Sequence, residues 1–184
     1  LTTSAMVTAR RGGFELTTLA SGKVLVAGGI TNWTSTTTTA AELFDPATGV
    51  WTATTPMPAA FYDYSATLLE DGRVLLAGGF RSGTYLDTGY VFDPAAQLWQ
   101  PTPNRLINAR SYHAAARLPG GPMLLVGGFN GTTTVPTAEI YGASRGIDNV
   151  PPTVNAGADA TVRPGVTFTQ TGAFTDPGAD TWPA

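Results

Sequence analysis

Short apolar stretches, each closed by two glycines, recur three times along the chain. They are residues 23–29, 73–79 and 123–128, and their glycine pairs start at 28, 78 and 127. A short apolar run that ends abruptly in Gly-Gly predicts a buried β-strand stopped by a backbone bend. The bend needs glycine because φ is positive there or because no side chain has room. The regular spacing therefore predicts a repeated β-structure.

The residues around each apolar strand predict three further strands per repeat. In the first repeat, residues 14–20 and 40–44 flank a polar loop at 31–39, and the turn Asp45-Pro46-Ala47-Thr48-Gly49 leads to a strand around Trp51. Proline at the second position and glycine at the end are typical of such turns. Four short strands joined by turns predict an antiparallel meander, called a blade below.

The second repeat keeps this register, and the third is incomplete. Phe44-Asp45-Pro46 and Trp51 return at one offset as Phe92-Asp93-Pro94 and Trp99, whereas neither mark follows the third strand at 138–141. The sequence therefore predicts an all-β protein with about three blades between residues 1 and 148. Their predicted bounds are about 10–55, 60–104 and, lacking an outer strand, 109–145.

A different pattern begins after residue 148. Pro151 and Pro152 mark a linker, and the rest of 149–184 alternates like the opening strands of an Ig-like β-sandwich. Such a sandwich needs about a hundred residues in two sheets, so this segment predicts only part of one.

Composition narrows the function more than the fold. Charged residues make up 12 % of the chain, and the formal net charge is −3. A nucleic-acid partner is not expected, because its binders carry basic patches. No apolar run approaches the roughly twenty residues of a membrane helix. The chain has no cysteine, which excludes disulfides and thiol catalysis, and its Thr- and Gly-rich composition favours an extracellular or cell-surface location, of bacterial type.

These units resemble kelch repeats, in the bacterial form where Asp71-Gly72-Arg73-Val74-Leu75-Leu76-Ala77-Gly78-Gly79 follows the first strand and Ala40-Ala41-Glu42-Leu43-Phe44-Asp45-Pro46 forms the third. The spacing is also the kelch period of about fifty residues. The resemblance covers roughly residues 1–145 and implies a β-propeller whose loops bind proteins or glycans. The C-terminal segment resembles the start of a PKD-type domain.

Enzymatic activity is not expected. Relatives similar to galactose oxidase carry a copper site with a Tyr–Cys crosslink and histidine ligands, but this chain has no cysteine and one histidine, His113. No motif supplies His113 with a nucleophile and an orienting acid, which favours a packed or hydrogen-bonded role. Glu42 and Glu139 are repeat-equivalent, and we expect them to accept hydrogen bonds from loop amides rather than to form a hydrolytic pair.

Other repeat marks have structural interpretations. Asp45 and Asp93 precede proline in turns and are expected to accept backbone hydrogen bonds. Trp51 and Trp99 are predicted to anchor the packing of blades. Arg10 and Arg110 recur before the first strand of a blade, where a structural salt bridge is favoured over an anionic partner.

Candidate binding residues lie in the loops. The predicted ligand-binding residues are Trp33, Tyr62, Tyr64, Phe80, Tyr85, Arg110 and Phe129. Asn32 and Asn130 open glycosylation sequons. Asp176 and Asp180 are weak candidates for calcium, and no other metal or cofactor is expected.

Propellers close with four to eight blades, so three blades leave closure open. One alternative is that the chain is part of a longer ring. The other is self-association, in which residues 1–7 complete the unfinished blade of a neighbouring chain, giving a six-bladed ring of two chains or a filament. The leading functional hypothesis is a non-enzymatic extracellular module that binds protein or glycan. The alternatives are a structural subunit of a ring or filament, and the remnant of a carbohydrate-active propeller enzyme.

Overall fold

The computed structural model describes residues 3–119, 121–141, 153–155 and 173–175. This part of the chain is all-β, and its strand pairs are antiparallel. The strands are β1 (Leu16–Thr18), β2 (Val24–Ala27), β3 (Ala41–Asp45), β4 (Val50–Thr54), β5 (Ser65–Leu68), β6 (Val74–Ala77), β7 (Phe80–Arg81), β8 (Thr84–Tyr85), β9 (Gly89–Asp93), β10 (Leu98–Pro101), β11 (Ala114–Arg117), β12 (Met123–Val126), β13 (Ala138–Tyr141), β14 (Thr153–Asn155) and β15 (Ala173–Thr175).

Two four-stranded blades form, as the repeat pattern predicts. Blade 1 has the order β1-β2-β3-β4, and blade 2 is built from β5, β6, β9 and β10 in the same succession. The conserved register is visible in the outer hairpins, where Phe44 pairs with Trp51 and Phe92 pairs with Trp99. The ring centroids of these pairs lie 5.1 and 4.7 Å apart, so each tryptophan packs on its cross-strand phenylalanine. The prediction of all-β, kelch-type blades is confirmed.

Blade 3 has three strands, β11-β12-β13, within the described residues. The residues after β13 that the sequence assigns to an outer strand lie outside the described part, as do most residues of the predicted Ig-like segment. There, β14 pairs with β15 as a two-stranded ribbon. The small hairpin β7–β8 is inserted in blade 2 between β6 and β9, directly after its Gly-Gly bend.

The core lies between blades rather than within them. One cluster of buried side chains joins blade 1, through Leu25 and Ala27, to blade 2, through Val74, Leu76 and Phe92. A second cluster joins blade 2 to blade 3 through residues on the opposite face of the same strand β6 and its neighbour, including Leu75, Val91, Met123 and Leu125. Each central strand is therefore apolar on both faces, which explains why its sequence runs apolar instead of alternating.

Blades 1 and 2 are also locked by the tryptophan of the second repeat. Trp99 is buried, and its indole N–H donates to the Thr55 carbonyl at 2.8 Å, just after blade 1. The predicted anchoring role of Trp99 is confirmed. The turn aspartates also behave as predicted, since Asp45 accepts from the Ala47 N–H and Asp93 accepts from the Ala95 and Ala96 N–H groups.

Within the part of the chain that the structure describes, no helix has the length and apolar character needed to cross a membrane.

Candidate functional site

The loops at one end of the blades form a common surface, called the loop face. The segment before the first strand of each blade bridges to the residue after the Gly-Gly bend, at Gly12–Ile30, Tyr62–Phe80 and Ser111–Phe129. These bridges extend each blade beyond its main sheet and hold the loops rigid. The loop face is therefore built by repeat geometry, while the side chains on it differ from blade to blade.

The Gly-Gly bends make this geometry possible. All six glycines have positive φ, from 58° at Gly28 to 105° at Gly79, in the region that disfavours side chains. A Cβ atom at Gly28 would lie 2.7 Å from the Phe61 carbonyl oxygen, and one at Gly78 would lie 2.5 Å from the Arg110 carbonyl oxygen. Both reasons that the sequence suggested for glycine therefore apply, and the first glycine of each bend receives the backbone of the next blade.

Four aromatic rings form a continuous row across the loop face of blades 2 and 3. The contacts run from Tyr62 to Phe80 (5.5 Å between centroids), from Phe80 to Tyr85 (4.8 Å) and from Tyr85 to Phe129 (5.4 Å). Each pair meets edge to face, at 68° to 84°, which is a favoured arrangement of aromatic rings. The four side chains are half-buried. This set, called the aromatic row, unites four of the seven predicted ligand residues.

An acidic cleft lies beside the aromatic row. Its volume is about 400 Å³, and it is lined by Gly13, Phe14, Glu15, Asp63, Tyr64, Tyr112 and His113. The Tyr112 hydroxyl donates a hydrogen bond to the Asp63 carboxylate. Three repeat-equivalent residues of the lining, Gly13, Asp63 and Tyr112, have positive φ, and they are linked in series because Asp63 N–H donates to Gly13 O and Tyr112 N–H donates to Asp63 O.

The cleft alters the proton affinity of its acids. Burial raises the pKa of Glu15, an effect that the Ala66 N–H partly opposes, and burial likewise raises the pKa of Asp63 against the hydrogen bond from Tyr112. The hydrogen bond to Asp63, together with burial, raises the pKa of Tyr112 to about 12. The site therefore presents neutral phenol hydroxyls beside two carboxylates, a chemistry suited to a cationic group.

Trp33 lies apart from the aromatic row, on the loop of blade 1. Its side chain is 84 % exposed, and the Arg11 guanidinium stands 4.2 Å from the ring centroid. The sequon residue Asn32 holds this loop, because its side-chain oxygen accepts from the N–H groups of Thr34 and Thr36. Asn130 similarly accepts from the N–H groups of Thr132 and Thr133. Both asparagines thus have a structural role in their loops, and their glycosylation stays a prediction.

Buried ion pairs support the loop face from below. Arg10 and Glu42 in blade 1, and Arg110 and Glu139 in blade 3, have side chains that are at most 1 % exposed, with N–O distances of 2.6 and 2.5 Å. Each glutamate also accepts two backbone N–H groups, from Val7 and Thr8 or from Ile107 and Asn108. The predicted structural salt bridges and amide contacts are confirmed. Burial alone would raise the pKa of Glu42, but the hydrogen bonds from Arg10 and the two amides outweigh it and lower the pKa.

Two predicted ligand residues are corrected by their burial. Arg110 is fully enclosed, and its guanidinium is committed to Glu139 and to the carbonyls of Gly127 and Thr137. Tyr64 is 3 % exposed, and its hydroxyl donates to the Ala27 carbonyl of blade 1. Both side chains hold the fold together and are closed to a ligand. Nothing in a single sequence distinguishes a loop aromatic that points out from one that points between blades.

His113 occupies the position of Tyr64 in blade 3. Its Nε2 lies 2.9 Å from the Ser65 hydroxyl of blade 2, and both residues are buried. The pair has the spacing of a nucleophile and its base, but within the described residues the buried Nδ1 atom has no hydrogen-bond partner. An orienting acid is thus absent there, and the contact joins two blades, as the packed role predicts.

The burial of His113 makes stability depend on pH. Burial, with a contribution from Arg110, lowers the pKa of His113 from 6.5 to about 4. The unfolded chain therefore binds a proton near pH 6.5 that the folded protein refuses until about pH 4, so the stability of the neutral form is complete above pH 6.5 and is lost on acidification. At about 1.4 kcal/mol per pKa unit the loss is about 3 kcal/mol.

We expect urea unfolding between pH 7.5 and 4.5 to show a steeper loss of stability for the wild type than for His113→Gln. Taking the difference between the two proteins removes the opposite contributions of Glu15 and Asp63, whose raised pKa values favour the folded state at acid pH. Parallel pH profiles would contradict this expectation.

In the part of the chain with described side chains, no group of three or more His, Cys, Asp and Glu residues is placed to hold a metal ion. The calcium candidates Asp176 and Asp180 lie outside the described residues, so calcium there stays a prediction.

Sequence reasoning missed three members of the site: Glu15, Asp63 and Tyr112. Asp63 and Tyr112 share one repeat position, which is glycine in blade 1. A position that varies among Gly, Asp and Tyr inside an otherwise constant frame was the available signal, because side chains that the frame does not need are free to serve recognition.

Comparison with known proteins agrees with the blade geometry. Residues 71–105, which run through most of blade 2, match the Kelch motif family. A Kelch-like protein, terF, of Aspergillus terreus is 34 % identical to this chain over 94 residues. That alignment covers 47 % of this chain and 20 % of the relative, so the chain spans about a fifth of the protein it matches. These similarities support a kelch-repeat protein, and the bacterial form of the repeat and the PKD-type segment remain predictions.

Proposed function

We propose that this protein is a non-enzymatic protein-binding module that holds its partner on the aromatic row and the acidic cleft. Kelch repeats suggest a protein-binding module, and residues 71–105 carry that motif. The observation that carries the choice of surface is the unbroken contact of Tyr62, Phe80, Tyr85 and Phe129 across two blades. Tyrosine-rich surfaces suit recognition, because these side chains offer a large area for little loss of conformational entropy.

The chemistry of the site favours a partner segment with a basic residue next to apolar ones. Tyr112 is 69 % exposed and stands at the rim with Asp63. A lysine or arginine could meet the carboxylates of Asp63 and Glu15 while its stem crosses the tyrosine rings. The rigid bridges below the loops mean that little order has to be gained on binding, which favours affinity.

Glycan contact is a second candidate, and Trp33 is the observation that favours it. Its indole is the most exposed large apolar side chain in the described part, at 84 %. Arg11 covers one side of the ring, which leaves the other side for stacking on a sugar. This site is separate from the aromatic row, so the two candidates can be tested independently with Trp33→Ala and an array of glycans.

Selection of random peptides on the purified chain tests the protein-binding proposal. We expect enriched peptides to carry Lys or Arg beside an aromatic or aliphatic residue, and Tyr85→Ser to weaken their binding about tenfold or more, as for a central interface residue. Asp63→Asn is expected to weaken the basic peptides selectively. Leu98→Ser, at a 48 % exposed site on the outer strand of blade 2, is the matched control.

No enrichment, or equal loss of binding in Tyr85→Ser and Leu98→Ser, would contradict the assignment. An extracellular location belongs to the proposal as well and rests on composition. It is tested by whether the chain is recovered from the cell surface or the medium of its host.

A further inference from the structure

The two outward faces of the three-blade unit differ from the faces inside it in one consistent way. The face of blade 3 that points away from blade 2, called the tail face, contains Leu124, Val126 and Ile140. Val126 is 45 % exposed and Ile140 is 51 % exposed. Their repeat equivalents in blade 2, which blade 3 covers, are Leu75, Ala77 and Val91, at 2 %, 1 % and 6 %. The tail face is therefore an interblade surface without its neighbour.

The backbone of the tail face carries the same sign. At Gly28 and Gly78 the space of a Cβ atom is filled by a carbonyl oxygen of the next blade, whereas at Gly127 nothing lies within 4 Å. Gly29 and Gly79 N–H groups donate to those carbonyls, of Phe61 and Arg110. The N–H of Gly128 has no such acceptor among the described residues. A notch for a repeat-equivalent carbonyl is thus present and unfilled.

The opposite side of the unit, called the head face, has the complementary features. Its members Met6, Phe14, Val24 and Phe44 are half-buried, while their equivalents Met57, Tyr64, Val74 and Phe92 are at most 3 % exposed in blade 2, where blade 1 covers them. Met57 lies under Gly28, where its sulfur is 3.1 Å from the Cβ position. The head face therefore offers Met6, and the backbone near Arg10 and Arg11, at the places that the tail face leaves open.

We infer that the tail face binds the head face of a second copy of this chain, and that two copies close into one ring. The occupant is specified by the two interfaces already inside the chain, because each pairs a tail-type surface with a head-type surface. Three blades are fewer than the four to eight that close a propeller, and two copies supply six. Closure by a twofold axis satisfies both outward faces at once.

Exchange of the N-terminal strand is not needed for this assembly. The Ser4 N–H donates to the Gly49 carbonyl and the Trp51 N–H donates to the Ser4 hydroxyl, so this segment is bonded to its own blade 1. The contact between copies is a packing of whole blade faces, and donation of residues 1–7 stays a separate prediction.

Sedimentation velocity of the 184-residue chain, from about 1 to 100 µM, tests the inference. The expected species has twice the 19.1 kDa mass of one chain. Ile140→Lys should raise the dimer dissociation constant by about 100-fold or more, because it places an unpaired charge in the contact. Leu98→Lys replaces an equally exposed leucine away from both faces and should leave the constant within about threefold.

Mixing two variants distinguishes head-to-tail docking from other contacts. Ile140→Lys disables the tail face and Met6→Lys disables the head face, so each alone should be monomeric. Their mixture should form a heterodimer with one intact contact, weaker than the wild-type dimer. A mixture that stays monomeric, a wild-type chain that is monomeric with native β-sheet circular dichroism at 100 µM, or masses that grow beyond two chains would each overturn the closed two-chain ring.

Discussion

Replacing Glu139 by alanine is expected to lower the free energy of unfolding by about 3–5 kcal/mol, the cost of leaving a buried charge without its partner. The Arg110 guanidinium and the N–H groups of Ile107 and Asn108 would all lose an acceptor inside the protein. Urea unfolding followed by circular dichroism at pH 7 measures the change. A loss below about 1 kcal/mol would show that water reaches the site and replaces the carboxylate.

Blade 2 supplies the control for this experiment. At the positions of Arg110 and Glu139 it has Phe61 and Tyr90, whose rings stack with centroids 5.7 Å apart. It also has Pro58 at the position of Ile107, and proline has no N–H that needs an acceptor. The three substitutions thus form one apolar solution to the same packing problem.

The triple variant Ile107→Pro, Arg110→Phe, Glu139→Tyr is therefore expected to be more stable than Glu139→Ala by about 2 kcal/mol or more, since replacing a whole buried ion pair by packed apolar groups is often neutral. A triple variant less stable than Glu139→Ala would mean that the two solutions depend on the rest of their blades and are not interchangeable.

Gly78→Ala is expected to have an effect of similar size, about 4 kcal/mol, for a steric reason. The new Cβ atom would lie 2.5 Å from the Arg110 carbonyl oxygen and 2.7 Å from His113 Cε1, so blades 2 and 3 would have to separate. The estimate combines about 1–2 kcal/mol for an L-residue at a φ of 66° with about 1–3 kcal/mol for overpacking. Thermal and urea unfolding both report the loss.

Gly72→Ala separates these two contributions. Gly72 lies in the β5–β6 turn of the same blade with a φ of 84°, and no atom lies within 4 Å of its Cβ position. Its substitution therefore costs only the backbone strain, about 1–2 kcal/mol. If Gly78→Ala and Gly72→Ala destabilise the protein equally, the close approach of blades at the Gly-Gly bend carries no energetic weight.

Much of the fold was predictable because it is repeated. The strands that end at Gly28, Gly78 and Gly127, the Asp-Pro turns and the Phe–Trp hairpins each depend on local backbone geometry, so a few residues specify them wherever they occur. The amide-binding role of Glu42 and Glu139 was predictable for the same reason, since two copies of one acid in a loop-rich frame indicate a shared structural need.

The site was only partly predictable, because orientation is decided between blades. Tyr62 and Tyr64 are two residues apart, yet Tyr62 joins the aromatic row while Tyr64 is enclosed against blade 1. Tyr112 was missed as a binding residue, although it stands at the rim of the cleft.

The sequence by itself determined the all-β class, the order of strands within a blade and the residues that bend the chain, because these follow from contacts a few residues apart. Only the tertiary structure decided which aromatic rings meet, which charges are sealed beneath the loop face, and which two blade faces stay uncovered. The physical reason is that each blade face is completed by side chains about fifty residues away, so its chemistry depends on the neighbour that packs against it.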